Sequence, residues 1–380
     1  MTGYQGWFRA PGDGSQLGFT HYQKKGKFEP GNCSIDLWPD LTEFSEGEKF
    51  ATPFRFADGS VAHVFSSLHP ETVHRHFLWM RQYEIDGAFV QRFALHGAKL
   101  RKNNRRLKYE NQKLMLCRDS ALRNGRCWAL MYDLTGLKDE DFDLLAEDWK
   151  NLRKRMQLGS DPNDTSYLQF KGKPLVGIWG VGFNDNRDYT LEKTEWLIRF
   201  LKNNPKWGGM SIMLGIPYFW RELNRDAVSD ARLLRLLNLA DVLSPWSVGR
   251  YGNKPGDSDQ IVKRQIEDRK WCERRKIHYL PVLFPGFSWK NMKGPDSVQI
   301  PRRKGTFLSD QFHATSRAGN SSAYLAMFDE LDEGTAIFKC SDQVPTGQSK
   351  FVSMEGMPAD LYLRIAQQGA SLFRKNIQDH

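Results

Sequence analysis

Apolar segments typical of buried strands recur along the chain and alternate with segments of helical period. Eight apolar segments rich in β-branched or aromatic residues cover 3–8, 83–93, 127–136, 173–183, 209–219, 240–251, 277–289 and 322–330. Between them, apolar side chains recur at the spacing of an amphipathic helix in residues 69–83, 139–157, 190–204 and 257–276. The pattern therefore predicts a strand followed by a helix, repeated about eight times.

Repeated strand and helix units in a chain of 380 residues are the pattern of an α/β protein, a (β/α)8 TIM barrel with long βα loops. A doubly wound open sheet is the alternative, but the G-x-G-x-x-G turn that would open its first helix is missing. Residues 10–60 are the least regular stretch and carry several turn signals, so we expect a long first loop there. No linker marks a second domain, and residues 1–380 are predicted to form one domain.

The side chains that follow the predicted strands form the candidate site, because chemistry in such a barrel takes place at the carboxyl ends of the strands. Carboxylates, arginines and many aromatic rings gather there. This mixture suits a sugar-binding cleft, in which rings stack on the apolar faces of sugars and charged groups hydrogen bond to hydroxyls. The predicted binding residues are Tyr4, Trp7, Gln91, Arg92, Asp133, Trp179, Tyr218, Trp246, Arg250, Tyr251 and Trp289. The expected partner is an oligosaccharide or polysaccharide.

The eighth apolar segment ends in a group of acids, of which Glu330 and Glu333 are three residues apart. A tight or helical turn brings two such side chains to the same face. Carboxyl groups close together in a partly apolar cleft have pKa values that are pushed apart, so that one acts as a base and the other as an acid. Paired carboxylates of this kind carry out glycoside hydrolysis. A solvated loop or a helix N-cap is the alternative, and the position after the last of eight strands favours the catalytic pair.

The segment "FDELDEGTAIF", residues 328–338, resembles the end of the catalytic domain of glycoside hydrolase family 99, where an E-x-x-E-G-T sequence carries both catalytic glutamates. The segments "YQGWF", "PGDGS", "VGIWGVGF" and "LADVLSPWSVGRY" are similar to bacterial proteins grouped as family 71/99-like. Together these segments run through most of the chain. The resemblance implies a (β/α)8 catalytic domain and a retaining, endo-acting hydrolysis of an α-linked glycan that needs no metal or cofactor, with the substrate 2-hydroxyl as internal nucleophile.

The resemblance also implies a role for particular residues. Glu330 would be the base that deprotonates the 2-hydroxyl, and Glu333 would be the general acid that protonates the leaving oxygen. Tyr251 would lie beside the reacting sugar, and Tyr4 would match an aromatic residue of the cleft.

The chain also differs from the mannosidases of that family. Asp329 and Leu331 stand where the mannosidases tend to have Asn and Trp, at positions that contribute to substrate recognition. A non-catalytic glycan-binding barrel is the alternative function, although a binding protein has no need for an acid and base pair. If basic residues such as Arg92 and Arg250 line the cleft, the substrate would be an anionic polysaccharide carrying sulfate, phosphate or uronate groups.

The formal net charge is +10, but no nucleic-acid-binding motif accompanies it, so no nucleic-acid partner is expected. The basic residues of 96–118 predict an amphipathic helix with a solvated basic face. The five cysteines form no C-x-x-C pair, and the histidines form no H-x-x-x-H with a supporting acid, so no metal site is expected. No signal peptide and no apolar run long enough to span a membrane is found, and we expect a soluble monomer, secreted, periplasmic or on the cell surface if a leader was removed.

Overall fold

The computed structural model describes residues 1–94, 104–252 and 257–378. Within these residues, a sheet of short parallel strands forms the centre of the molecule. In chain order its strands are β1 (Thr2–Tyr4), β2 (Gly87–Phe93), β3 (Cys127–Asp133), β4 (Lys173–Trp179), β5 (Ser211–Pro217), β6 (Val242–Trp246), β7 (His278–Tyr279 and Val282–Leu283) and β8 (Tyr324–Leu325). Each strand lies within, or one residue from, one of the eight apolar segments of the sequence.

The order of hydrogen-bonded neighbours closes this sheet into a barrel. Starting from the first piece of β7, the order passes through β6, β5, β4, β3, β2, β1 and β8 and ends on the second piece of β7. The two pieces belong to one short segment of chain, whose first part pairs with β6 and whose second part pairs with β8, both in parallel. A closed ring of eight parallel strands is the (β/α)8 barrel, so the predicted fold is confirmed.

Helices follow the strands in the same order. They are α1 (Pro70–Gln82), α2 (Asn104–Asn124), α3 (Phe142–Met156), α4 (Leu191–Asn203), α5 (Arg232–Leu237), α6 (Asp257–Glu273), α7 (Thr306–Arg317) and α8 (Leu361–Gln378). The basic segment 96–118 enters α2 at residue 104, and its residues 96–103 lie outside the described residues. None of the helices in the described part of the chain is long and apolar enough to cross a bilayer.

Long βα loops carry small elements of their own, as the sequence predicts. The loop between β1 and α1 contains the antiparallel hairpin of Phe50–Arg55 and Val61–Val64. Two further antiparallel pairs join Trp38–Pro39 to Cys340–Ser341 and Phe287–Ser288 to Gln299–Ile300. The remaining short elements are the strand Gln169–Phe170, the helix Lys290–Lys293 and the 3-10 turns Glu46–Glu48, Asp139–Asp141 and Arg303–Gly305.

The apolar residues of the strands fall into two layers because successive side chains of a strand point to opposite faces. Phe89, Met131 and Met213 belong to a buried cluster inside the barrel. Their neighbours Val90 and Leu130 belong to a second cluster, in which the sheet packs against the helices. The series of side chains that point into the barrel therefore continues beyond Phe89 and Met131 to the residues that form the floor of the site.

Candidate active site

A cavity of about 370 Å³ opens at the carboxyl ends of the strands, a volume in the range of small-molecule sites. Nine of the thirteen predicted site residues line this cavity: Trp7, Gln91, Asp133, Trp179, Trp246, Arg250, Trp289, Glu330 and Glu333. The structure therefore brings together both candidate catalytic glutamates and four tryptophans. Gln5, Phe93, Thr135, Phe183, Asp185, Val248, Gly249, Phe287 and Val298 complete the lining.

Strand register explains how side chains from separate strands meet at the cavity. Asp133 of β3 is aligned with Phe93 of β2 on one side and with Trp179 of β4 on the other. Trp179 is in turn aligned with Gly215 of β5. A Cβ atom on Gly215 would lie 2.4 Å from Cδ1 of Trp179, so only glycine leaves room for this indole.

Tyr4 and Arg92 do not line the cavity, and their expected place in the cleft is corrected here. Tyr4 is fully buried, and its hydroxyl lies 2.9 Å from Nδ1 of His76 on α1. Arg92 is 1% exposed and donates to both carboxylate oxygens of Asp148 on α3, at 2.8 and 2.6 Å. Both residues point from their strands toward the helices, because the inward positions belong to their neighbours Gln5 and Gln91.

Tyr218 and Tyr251 also lie outside the cavity wall, contrary to expectation. Their rings contact each other with centroids 5.8 Å apart. The Tyr251 hydroxyl donates to Oε1 of Gln311 on α7 at 3.0 Å, and its ring packs against Phe284. These contacts hold Tyr251 in the layer between the barrel and α7, so its side chain does not reach the cavity.

A tight turn after β8 holds the acidic segment in place. The carbonyl oxygen of Glu330 accepts hydrogen bonds from the backbone N–H groups of Thr335 at 3.2 Å and Ala336 at 3.0 Å. Gly334 has a φ of +62°, in the left-handed region that side chains disfavour. The carbonyl of Glu333 accepts from the Ser288 N–H at 2.9 Å. The turn and the loop after β7 together direct both glutamates into the cavity.

Asp329 attaches this segment to β1. Its two carboxylate oxygens accept the backbone N–H groups of Gln5 and Gly6, each at 2.8 Å. Burial raises the pKa of Asp329 to about 6, although these two hydrogen bonds stabilise its ionised form. Both oxygens accept backbone donors, so Asp329 joins the acidic segment to the end of β1.

Glu330 is 3% exposed and has a neutral hydrogen-bond donor on each oxygen. Nε2 of Gln5 donates to Oε1, and the Thr335 hydroxyl donates to Oε2, both at 2.7 Å. Burial and the nearby charges of Glu333 and Asp332 raise the pKa of Glu330 well above its ordinary value, and the two hydrogen bonds oppose this shift. Its carboxyl is held in one orientation, and it makes no ion pair with any residue that the structure describes.

Glu333 is half-buried, and its pKa is raised to about 7 by burial and by the charges of Asp332 and Asp133. The Trp289 indole and Lys293 stabilise the ionised form and oppose the shift. Because Glu330 and Glu333 interact, their proton losses belong to the pair. The pair keeps a proton into the neutral pH range, as a general acid at neutral pH requires.

Gln5 and His21 belong to the site, and sequence reasoning did not identify them. The His21 ring stacks on Trp7, with centroids 3.9 Å apart and planes 3° apart. Its Nδ1 lies 3.2 Å from Oδ2 of Asp332, which is 2% exposed. His21 lies in the irregular first loop, where no local pattern marks it. Gln5 could have been found from its position next to Tyr4, on the opposite face of the strand.

Two tryptophans of the cavity carry buried polar atoms without a partner. The indole N–H groups of Trp7 and Trp179 form no hydrogen bond with any described residue, and neither does Oε1 of Gln5, whereas the Trp289 indole faces the Glu333 carboxylate. Most buried polar groups in proteins are hydrogen-bonded, so several unpaired ones around one cavity need an explanation. Donors of this kind suit the hydroxyl groups of a polar ligand that completes the site.

The charge of the cavity is predominantly negative. Arg250 donates to Asp226 at 2.6 Å and is therefore already ion-paired. The other ionisable side chains that line the cavity are Asp133, the two glutamates and Asp185, of which Asp185 is ion-paired with Arg187 at 2.7 Å. Since Arg92 lies outside the cavity and Arg250 is paired, neither residue supplies the free positive charge that an anionic substrate would require.

No family model and no curated protein matches the chain. Solved structures do match, and they are glycoside hydrolase folds. A family 99 endo-α-mannosidase from Bacteroides thetaiotaomicron aligns with a TM-score of 0.70 and 14% identity over 99% of this chain and 98% of that one. A second structure of that enzyme, with bis-tris-propane, gives 0.68 at 14% identity over the same shares of the two chains. A glycoside hydrolase-like protein gives 0.55 at 10% identity, over 86% and 91%. The chain thus has a family 99-like barrel.

Proposed function

We propose that this protein is a retaining glycoside hydrolase that cleaves an α-linked glycan, with Glu330 and Glu333 as its catalytic pair and residues 1–380 as one catalytic domain. The observation that carries the proposal is a pair of adjoining carboxyls with raised pKa values, of which Glu330 is buried and has no ion pair with any described residue, in a cavity lined by four tryptophans. A structural acid in such a place would be expected to have a basic partner, because an uncompensated buried carboxyl is costly.

Glu330 acts as the base in the first step, in the form of the pair in which Glu333 carries the proton. Its oxygens are held by Gln5 and Thr335, and it removes the proton from the substrate 2-hydroxyl. The 2-oxygen attacks the anomeric carbon as the glycosidic bond breaks, and Glu333 gives its proton to the leaving oxygen. In the second step Glu333 takes a proton from water and the water oxygen attacks the anomeric carbon, while the bond from that carbon to the 2-oxygen breaks and the 2-oxygen recovers its proton from Glu330. Two displacements retain the configuration.

Substrate binding follows from the aromatic walls. Trp7, Trp179, Trp246 and Trp289 offer ring faces for stacking, and the indole N–H groups of Trp7 and Trp179 are free to donate to a ligand. An endo-acting enzyme on a mannan-like polysaccharide is the form that the similarity to endo-α-mannosidases supports best. Such a substrate fits a mature domain that is secreted, periplasmic or at the cell surface.

The test is hydrolysis by the wild type, Glu330→Gln, Glu333→Gln and the control Glu140→Gln, which makes the same change at an exposed position. The panel contains α-mannans, α-glucans and sulfated or uronate-bearing polysaccharides. Loss of a general acid or base costs about 10²- to 10⁴-fold in rate, so both site variants should lose nearly all activity while the control keeps it. NMR of the first product should show the retained anomer.

Two outcomes would contradict the proposal. Equal activity in the wild type and Glu333→Gln would remove Glu333 from the acid role. Glycan binding without hydrolysis across the panel would favour the alternative, a non-catalytic glycan-binding barrel.

A further inference from the structure

A second, smaller recess adjoins the catalytic cavity. The two spaces share Gln5, Trp7 and Phe93 as lining residues. The recess has a volume of about 90 Å³. This is about a quarter of the volume of the catalytic cavity, which suits a substituent of a sugar better than a whole ring.

The ionisable side chains of the recess give it the opposite charge to the cavity. Arg9, Arg106 and Lys113 line it together with one carboxylate, Glu110, so three positive charges face one negative charge. Burial alone would raise the pKa of Glu110, but Lys113 and Arg9 outweigh burial and lower it to about 2. Glu110 is therefore ionised at neutral pH, and the recess keeps an excess of two positive charges.

The hydrogen bonds of these three cationic side chains show which of them are already occupied and which can bind a ligand. Nζ of Lys113 donates to the carbonyl oxygens of Gln5 at 3.1 Å and Gln91 at 2.8 Å and lies 2.9 Å from Glu110. Lys113 therefore has no proton left to donate, and it holds the ends of β1 and β2 together. The excess charge of the recess belongs to Arg9 and Arg106.

Arg9 is 2% exposed and only partly satisfied. Its Nη1 donates to the carbonyl oxygens of Gly6 and Phe8, both at 2.9 Å. Its Nε is buried and has no partner among the described residues. Arg106, half-buried in the first turn of α2, makes no ion pair in the described part of the chain. A buried guanidinium with an unused donor, next to a second arginine, is the arrangement that recognises carboxylate and sulfate groups.

We propose that this recess binds an acidic substituent of the glycan, a carboxylate or a sulfate ester, while the neutral part of the sugar occupies the tryptophan-lined cavity. That the ligand is a glycan rests on the proposed function. That it carries an acidic group rests on the charge of the recess itself. The contrast in sign orients the ligand, because Asp133, Glu330 and Glu333 repel an anionic group from the cavity and the recess attracts it.

Binding without turnover tests this proposal. In the Glu333→Gln background, calorimetric titration compares an α-manno-oligosaccharide with the same oligosaccharide bearing a sulfate ester or a uronate unit. The acidic ligands should bind more tightly, and Arg106→Gln should reduce only their affinity, by about 10-fold or more, as expected for a charge-assisted hydrogen bond. Arg123→Gln, which removes a charge from the exposed last turn of the same helix, is the matched control and should change nothing.

A second measurement needs no sugar. Selenate, an anomalous scatterer with the shape of sulfate, is soaked into crystals of the wild type and of Arg106→Gln. An anomalous peak in the recess of the wild type, weakened in the variant, supports the proposal. Selenate bound only elsewhere overturns it, and so does an equal loss of affinity for neutral and acidic oligosaccharides in Arg106→Gln. Neither measurement depends on hydrolysis, so failure of the proposed enzyme activity and failure of the recess are separate results.

Discussion

Two buried groups of carboxylates in this barrel have opposite surroundings. Between the barrel and α3, Asp148 accepts two hydrogen bonds from Arg92 and a third from the Tyr132 hydroxyl at 2.9 Å. At the end of β8, Glu330 is just as buried but receives only the neutral donors of Gln5 and Thr335. Asp148 therefore has a full opposite charge beside it, whereas Glu330 makes no ion pair with any described residue.

The difference is visible in the pKa values of the groups involved. Burial would lower the pKa of Arg92, but the Asp148 charge outweighs burial and raises it, so Arg92 stays charged. At the end of β8, burial and neighbouring acids raise the pKa of Glu333 to about 7. A group that must give and take a proton at neutral pH cannot have a fixed cation as its partner. The proposed catalytic role would account for the poorer compensation of Glu330 and Glu333.

The largest expected effect comes from breaking the ion pair between Arg92 and Asp148. Asp148→Asn leaves the Arg92 charge buried without a counterion, which typically costs about 3–5 kcal/mol in the free energy of unfolding. Urea denaturation measures this loss. Asp143→Asn, at an exposed position of the same helix, is the control and should stay within about 0.5 kcal/mol of the wild type. The double variant Arg92→Met with Asp148→Leu should recover most of the stability. A loss below about 1 kcal/mol in Asp148→Asn would show that the pair is not needed.

A smaller effect of opposite sign is expected at Glu333. A carboxyl whose pKa is raised from 4.5 to about 7 on folding binds its proton more tightly in the folded state, so its contribution to stability falls as pH rises through this interval. Glu333→Gln removes this penalty and should raise the free energy of unfolding at pH 8 by about 1–3 kcal/mol. At pH 4 the gain should vanish. Thermal unfolding of both proteins at the two pH values measures the difference.

Glu140→Gln, at an exposed position, is the control for that comparison and should show no such pH dependence. A gain of equal size at both pH values would mean that packing, and not ionisation, accounts for the change.

The smallest effect is a displaced pH profile. The charge of Asp332 contributes to the raised pKa of Glu333, so Asp332→Asn should lower that pKa. Because a general acid must be protonated, the alkaline limb of kcat/KM should move to lower pH, with a smaller change in the maximal rate. The measurement is kcat/KM on the best glycan across pH 5 to 9. An alkaline limb that stays in place would contradict the influence of Asp332 on the pair.

The sequence predicted the fold because the signals involved are local. Eight apolar segments separated by helical periods are sufficient to indicate a (β/α)8 barrel, and each segment contains or adjoins one strand of the structure. The same reasoning identified the cavity tryptophans and the glutamate pair, because residues that follow a barrel strand gather at one face. The long first loop was also predicted, but the position of His21 within it was not, since its contact with Asp332 joins distant parts of the chain.

The sequence by itself thus determined the order of the elements, the face on which the site lies and the residue types available there. Only the tertiary structure decided which of two neighbouring residues faces the cavity, Gln5 or Tyr4, and Gln91 or Arg92. The physical reason is that successive side chains of a strand point to opposite faces. When both faces carry polar and aromatic groups, the sequence does not show which face points into the barrel. The tertiary structure also decided the raised pKa values of Glu330 and Glu333, because these two side chains are buried by residues that are far apart in the chain.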